Sequence, residues 1–137
     1  MDNSLYRLEL EVRDYECDLQ GIVNNAVYQN YLEHTRHLFL KSRGIDFAQL
    51  SRDGVNLVVA RIELDYLYPL RSGDRFEVRV SVDRVSRLRF GFTQEIFRLP
   101  DGKPILRGRV IGTGINDRGR PSLPAEVERL LAESAGD

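Results

Sequence analysis

Apolar and polar residues alternate along "YRLELEVR" (residues 6–13), with Leu8, Leu10 and Val12 on one side and Glu9, Glu11 and Arg13 on the other. A period of two predicts a half-buried strand. After a polar connection over 14–22 the period changes. Val27, Tyr31 and Leu38, together with Tyr28, Leu32, Thr35 and Phe39, recur at spacings of three, four and seven and predict a long helix. Asn24 and Asn25 are candidate N-caps, because their side-chain oxygens can accept from the free amides of a first turn. Lys41 and Arg43 suit the last turn, and Gly44 suits the left-handed residue that ends it.

From residue 55 to 116 the pattern returns to short alternating runs: "VNLVVARIELDYLY" (55–68), "RFEVRVSV" (75–82), "LRFGFTQEIF" (88–97) and "ILRGRVIGTGI" (105–115). "PLRSGD" (69–74), the stretch from Arg84 to Arg87, and "PDGKP" (100–104) carry the turn residues between them. Four consecutive hairpin-connected strands are expected, forming an antiparallel sheet. "SLPAEVERLLAE" (122–133) predicts a short closing helix started by Ser122, with Pro124 in its first turn. The order strand, long helix, four strands, short helix implies an α+β fold in which the sheet curls around the long helix.

A chain of 137 residues, 42% hydrophobic, suits one domain spanning 1–137. A formal net charge of −1 argues against a general nucleic-acid binder, which needs a basic excess to neutralise phosphates. Cys17 stands alone, so no intramolecular disulfide is expected, and one thiol with two histidines makes a poor metal site. No stretch approaches the roughly 20 apolar residues of a membrane span, and "MDNSLYRLEL" lacks the features of a signal peptide. The sequence thus reads as cytoplasmic, with no membrane partner.

Few constellations offer chemistry. There is no G-x-S-x-G elbow, glycine-rich phosphate loop or H-E-x-x-H, and His34 and His37 read as ordinary helix histidines. Asp18 stands apart. It precedes Gly21, which permits an unusual turn, and a helix start, whose free amides attract developing negative charge. A carboxylate beside such amides resembles half of an acyl-transfer site, although a plain turn or capping role fits the same residues.

Asp18, Gly21, Ile22, Val23, Tyr28, Glu33 and Arg36, within "DYECDLQGIVNNAVYQNYLEHTR", resemble the signature of hotdog-fold thioesterases of the 4-hydroxybenzoyl-CoA thioesterase type. The likeness continues through "LDYLYPLRSGDRFEVRVSV" and covers about residues 6–125. "VRDYECDLQGIVNNAVYQNYLEHTRHLFL" is more similar still to the chloroplast acyl-lipid thioesterases of plants and their cyanobacterial relatives. The resemblance implies a five-stranded antiparallel sheet wrapped around a central helix, and hydrolysis of an acyl thioester carried on coenzyme A or acyl carrier protein. It implies Asp18 as general base or nucleophile, the Asn25 N–H as the donor that polarises the carbonyl, and no cofactor. Gly21 and Tyr28 would bind substrate, and Arg84, Arg87 and Arg89 would hold the phosphates of coenzyme A. A homodimer or homotetramer is implied as well, with residues near Val58 to Ile62 completing a neighbour's site. Where many bacterial relatives have histidine, this chain has Asn25. Glu33 and Arg36 are expected to form a structural pair on the helix. The plant likeness favours medium or long aliphatic chains. A hotdog dehydratase and a non-catalytic acyl-CoA-binding protein are the alternatives.

Overall fold

The computed structural model describes residues 5–135. The first four residues of the segment read for a signal peptide therefore lie outside the described range. In chain order the elements are β1 (Tyr6–Glu11), α1 (Asn25–Ser42), α2 (Phe47–Arg52), β2 (Val55–Tyr66), β3 (Arg75–Ser86), β4 (Arg89–Leu99), β5 (Pro104–Asn116) and α3 (Ala125–Ala135). The five strands form one antiparallel sheet in the order β1-β3-β4-β5-β2, curled around α1. This is the hotdog arrangement that the resemblance implied.

The sheet order corrects one expectation. β2 and β3 are not hairpin neighbours, because β2 pairs with β5 and β3 pairs with β1, Tyr6 opposite Val80. "PLRSGD" is a crossover instead. Leu70 turns fully inward, its carbonyl accepts from Val23 N–H at 2.9 Å, and the Asp74 carbonyl accepts from Val12 N–H at 2.9 Å. Alternation reveals which face of a strand is buried but not which strand lies beside it. The six-residue helix α2 also escaped the sequence pattern, being too short to show a helical period. Asp46 caps it by accepting from Ala48 N–H at 2.9 Å, and Leu50 anchors it in the core.

α1 begins at the Asn24 cap, whose side chain accepts from Ala26 N–H at 2.9 Å. It ends before Gly44, at φ 80°, a conformation that carries no side-chain penalty for glycine. The helix buries Tyr28, Tyr31, Leu32, Thr35, Arg36, Phe39 and Leu40. Val27 and Leu38, expected in the core, are only partly covered, whereas Arg36 is buried.

The core falls into two apolar clusters. One contains Val23, Tyr28, Tyr31, Leu32, Leu70 and Phe76 at the end where α1 begins; the other contains Phe39, Leu40, Leu50, Phe90, Phe92 and Leu130 at the opposite end. Between them lie three buried polar residues, Thr35, Arg36 and Gln94. Gln94 occupies an inward position of β4 in phase with Phe90, Phe92 and Ile96. Its amide donates to the Leu32 carbonyl at 3.1 Å and accepts from Arg36 Nη1 at 3.1 Å, while the Thr35 hydroxyl donates to the Tyr31 carbonyl. The expected Glu33–Arg36 pair does not form, because the guanidinium turns inward to Gln94 and Glu33 stays exposed.

Candidate active site

The loop from Cys17 to Val23 is folded back on itself. Cys17 and Val23 form an antiparallel bridge, Asp18 N–H donates to the Ile22 carbonyl at 2.9 Å, and Gly21 N–H donates to the Asp18 carbonyl at 3.0 Å. Gly21 has φ 79°, so the turn needs a residue without a Cβ penalty. Because the loop closes this tightly, Asp18 stands next to the strand residue that leads directly into the helix start. One carboxylate oxygen of Asp18 accepts from Gln20 N–H at 2.8 Å, and the side chain is otherwise exposed.

Asn25 is the first residue of α1. Its N–H has no carbonyl a turn earlier to bond, and it points out of the positive end of the helix dipole. The two asparagines thus divide the work: Asn24 caps and Asn25 begins the helix. Asn25 and Tyr28 line a cleft of about 220 Å³ together with Ile22, Tyr66, Tyr68 and Pro69. Asp18 and Gly21 sit beside this cleft through Ile22 rather than in its wall. Tyr28 is buried and its hydroxyl accepts from Leu70 N–H at 3.0 Å. Burial raises the pKa of this phenol, so it stays neutral.

Three further residues, not visible as a motif, hold this geometry. Glu16 accepts from Arg13 N–H at 2.8 Å and from the Tyr31 hydroxyl at 2.7 Å, and its carbonyl accepts from Asn24 N–H at 3.0 Å. Burial, then the bond to Glu16, raises the Tyr31 pKa. From the other side of the cleft, the Tyr66 hydroxyl donates to the Asn25 carbonyl at 3.2 Å. The aromatic run "YLYP" at the end of β2 was the only sequence signal for Tyr66.

Arg84, Arg87 and Arg89 lie elsewhere. They sit at the β3–β4 hairpin, whereas the Asp18 loop borders the start of β3 through the Val12–Asp74 and Ile22–Arg71 contacts. A strand of this length spans roughly 36 Å at about 3.3 Å per residue, so one chain does not bring these arginines to Asp18. Arg84 is also tied down, paired with Glu128 of α3 and donating to the carbonyls of Ser86 and Arg87. Arg87 and Arg89 are exposed. His34 is exposed, and His37 stacks on Phe47 with ring centroids 4.6 Å apart, its pKa lowered by burial.

β2 is an edge of the sheet, with Val58, Val59, Ile62 and Tyr66 exposed along it. Between this strand and α1 lie two adjoining cavities of about 240 and 270 Å³, both lined by Glu33, Arg36, Val59 and Val110. Among the described residues no helix is long and apolar enough to cross a membrane.

A curled sheet around a capped helix, with a carboxylate loop packed on the helix start, defines the class: residues 12–131 match the thioesterase-like superfamily, and the chain belongs to it. In sequence it is 42% identical over 126 residues to the chloroplastic acyl-acyl carrier protein thioesterase ATL3 of Arabidopsis thaliana, covering 91% of this chain and 66% of the relative. It therefore spans about two thirds of that plant protein's length. It is 26% identical over 96 residues to the acyl-CoA thioester hydrolase YbgC of Escherichia coli O157:H7, covering 70% of this chain and 72% of the relative. In fold it matches Slr0204, a 1,4-dihydroxy-2-naphthoyl-CoA thioesterase from Synechocystis, with a TM-score of 0.89 at 18% identity over 94% of this chain and 96% of that one.

Proposed function

We propose that the protein hydrolyses an acyl thioester, carried on coenzyme A or acyl carrier protein, to the free acid and the thiol. The observation that carries this reading is the closed loop from Cys17 to Val23, which contains Asp18 and whose Ile22 lines the same cleft as Asn25, the first residue of α1. The names of the relatives point the same way.

The thioester carbonyl accepts from Asn25 N–H, and Asp18 either removes a proton from the water that displaces the thiolate, or attacks the carbonyl carbon itself, expelling the thiolate to leave a mixed anhydride that water then opens to the free acid. In either case the thiolate takes up the proton that water releases. As the oxygen gains charge, the amide and the helix dipole stabilise it. One such donor is worth roughly a hundred- to a thousandfold in rate. The Asn25 side chain takes no part in this scheme, so a histidine at this position is dispensable. Tyr28 lines the acyl entrance as a neutral aromatic, and Gly21 lets the loop turn. No cofactor enters the scheme.

The exposed β2 edge is where we place a second copy. Antiparallel pairing of two such edges forms a homodimer, itself able to pair into a homotetramer, and covers Val58, Val59 and Ile62. It also sets the β3–β4 end of one chain towards the Asp18 end of its partner. Arg87 and Arg89 then act on phosphates of the neighbouring site, with Arg84 holding their hairpin to α3.

Exposure of His34, and the seat of His37 against Phe47 about three turns along α1 from Asn25, disfavour dehydratase chemistry, which needs an acid-base histidine close to the thioester carbonyl. Thiol release from octanoyl-CoA and octanoyl-acyl carrier protein tests the proposal. Turnover on either carrier supports it; tight binding of both without thiol release overturns it in favour of a non-catalytic acyl binder.

A further inference from the structure

Arg36 is 7% exposed, yet its only hydrogen-bond partner among the described residues is the neutral Gln94 side chain, and no carboxylate there lies within 4.0 Å of it. A buried guanidinium has five N–H donors and is costly to desolvate without an acceptor. Burial lowers its pKa accordingly, with only partial compensation from the charge of Glu33. The remaining donors face the two cavities between α1 and β2. The Glu33 carboxylate lines both cavities too, beside apolar walls of Leu32, Leu40, Phe47, Val59, Ile62 and Val110.

The position of Arg36 relative to Asn25 gives this an orientation. Eleven residues at about 100° each, the step of a helix with 3.6 residues per turn, return to within about 20° of the starting face. Arg36 therefore lies on the Asn25 side of α1, roughly 16 Å further along at about 1.5 Å per residue. β2 runs alongside in the opposite sense, with Tyr66 at the Asn25 cleft, Ile62 and Val59 at the middle cavity, and Leu57 and Val58 at the far one. The Asn25 cleft and the two Arg36 cavities thus follow one another along α1 and β2.

We propose that Arg36 is a specificity-determining residue that reads the far end of the acyl chain. The inference rests on the thioesterase reading of the Asn25 cleft. An extended chain anchored at Asn25 reaches Arg36 after about twelve carbons, at roughly 1.3 Å per methylene along a zigzag of bonds near 1.5 Å. An unsubstituted chain of that length strips the remaining hydration from the guanidinium and offers no acceptor in return. A chain ending in a carboxylate supplies one, bidentately. The site therefore accepts plain alkyl thioesters that stop short of Arg36, and longer ones only when an oxygen function sits at the far end.

The test measures kcat/KM by thiol release for octanoyl-, decanoyl-, dodecanoyl-, tetradecanoyl- and dodecanedioyl-CoA, with the wild type, Arg36→Met and Arg36→Lys. The wild type is expected to fall by at least about tenfold beyond decanoyl-CoA and to prefer dodecanedioyl- over dodecanoyl-CoA by a similar factor. Arg36→Met should lose the cutoff and reverse the preference, and Arg36→Lys should keep part of both. If Arg36→Met fails to fold, Arg36→Gln, which keeps a partner for Gln94 while removing the charge, should lose the cutoff in the same way. A length profile indifferent to these changes, with octanoyl-CoA still hydrolysed, overturns the role of Arg36 and leaves the thioesterase reading standing. If the wild type hydrolyses none of these thioesters, nor their carrier-protein counterparts, the thioesterase reading falls, and this inference with it.

Discussion

Three residues fix the loop in front of α1: Gly21 by its backbone, Asn24 by its cap, and Glu16 by joining the loop to the helix through Tyr31. Each predicts a separate loss. A Cβ on Gly21 meets nothing within 4 Å, so Gly21→Ala should cost only the strain of a positive φ, about 1 to 2 kcal/mol in urea unfolding. Its kcat should fall further than that small stability change explains. Glu16→Ala removes the acceptor of a partly buried phenol and should cost about 1 to 3 kcal/mol. Asp18, Gly21 and the asparagine pair were legible in the sequence because the turn and the cap are local, set by residues within a few positions of one another. Glu16–Tyr31 and Tyr66–Asn25 were not legible. Those bonds join residues 15 and 41 positions apart, and no spacing rule reports a contact made only by folding.

The long helix and the alternating strands followed from periodicity, since burial on one face demands it. Strand order did not, because β1 or β2 would satisfy the alternation of β3 equally well. The buried polar layer between the two apolar clusters was half visible: Gln94 stands in phase with Phe90, Phe92 and Ile96, a polar residue where the pattern calls for an apolar one. Gln94→Leu should therefore be poorly tolerated. It takes away the one side-chain acceptor of Arg36 among the described residues, a loss of about 1 to 3 kcal/mol in unfolding free energy. Arg36→Met removes the charge together with its demand and should cost less, so the double variant should be more stable than Gln94→Leu alone. Tyr28→Phe makes the complementary test at the other end of α1, where the fully buried Leu70 N–H would lose its partner at a cost of about 1 to 3 kcal/mol.

Over the whole molecule, the unpaired edge of β2 carries exposed Val58, Val59 and Ile62, an apolar strand edge of the kind that invites pairing with another chain. Ile62→Lys lies on the exposed edge and should leave the unfolding midpoint of the isolated chain nearly unchanged. Sedimentation should nevertheless show a shift from dimer to monomer, with thioester hydrolysis lost alongside it if the site is completed by the second copy. The account depends most on the Asp18 carboxylate acting at a carbonyl held by the Asn25 amide. The direct measurement is kcat for thiol release by Asp18→Asn, with circular dichroism and urea unfolding run on the same sample. The predicted result is a folded protein whose kcat falls by about a hundred- to ten-thousandfold; a folded Asp18→Asn that turns over at the wild-type rate would contradict it.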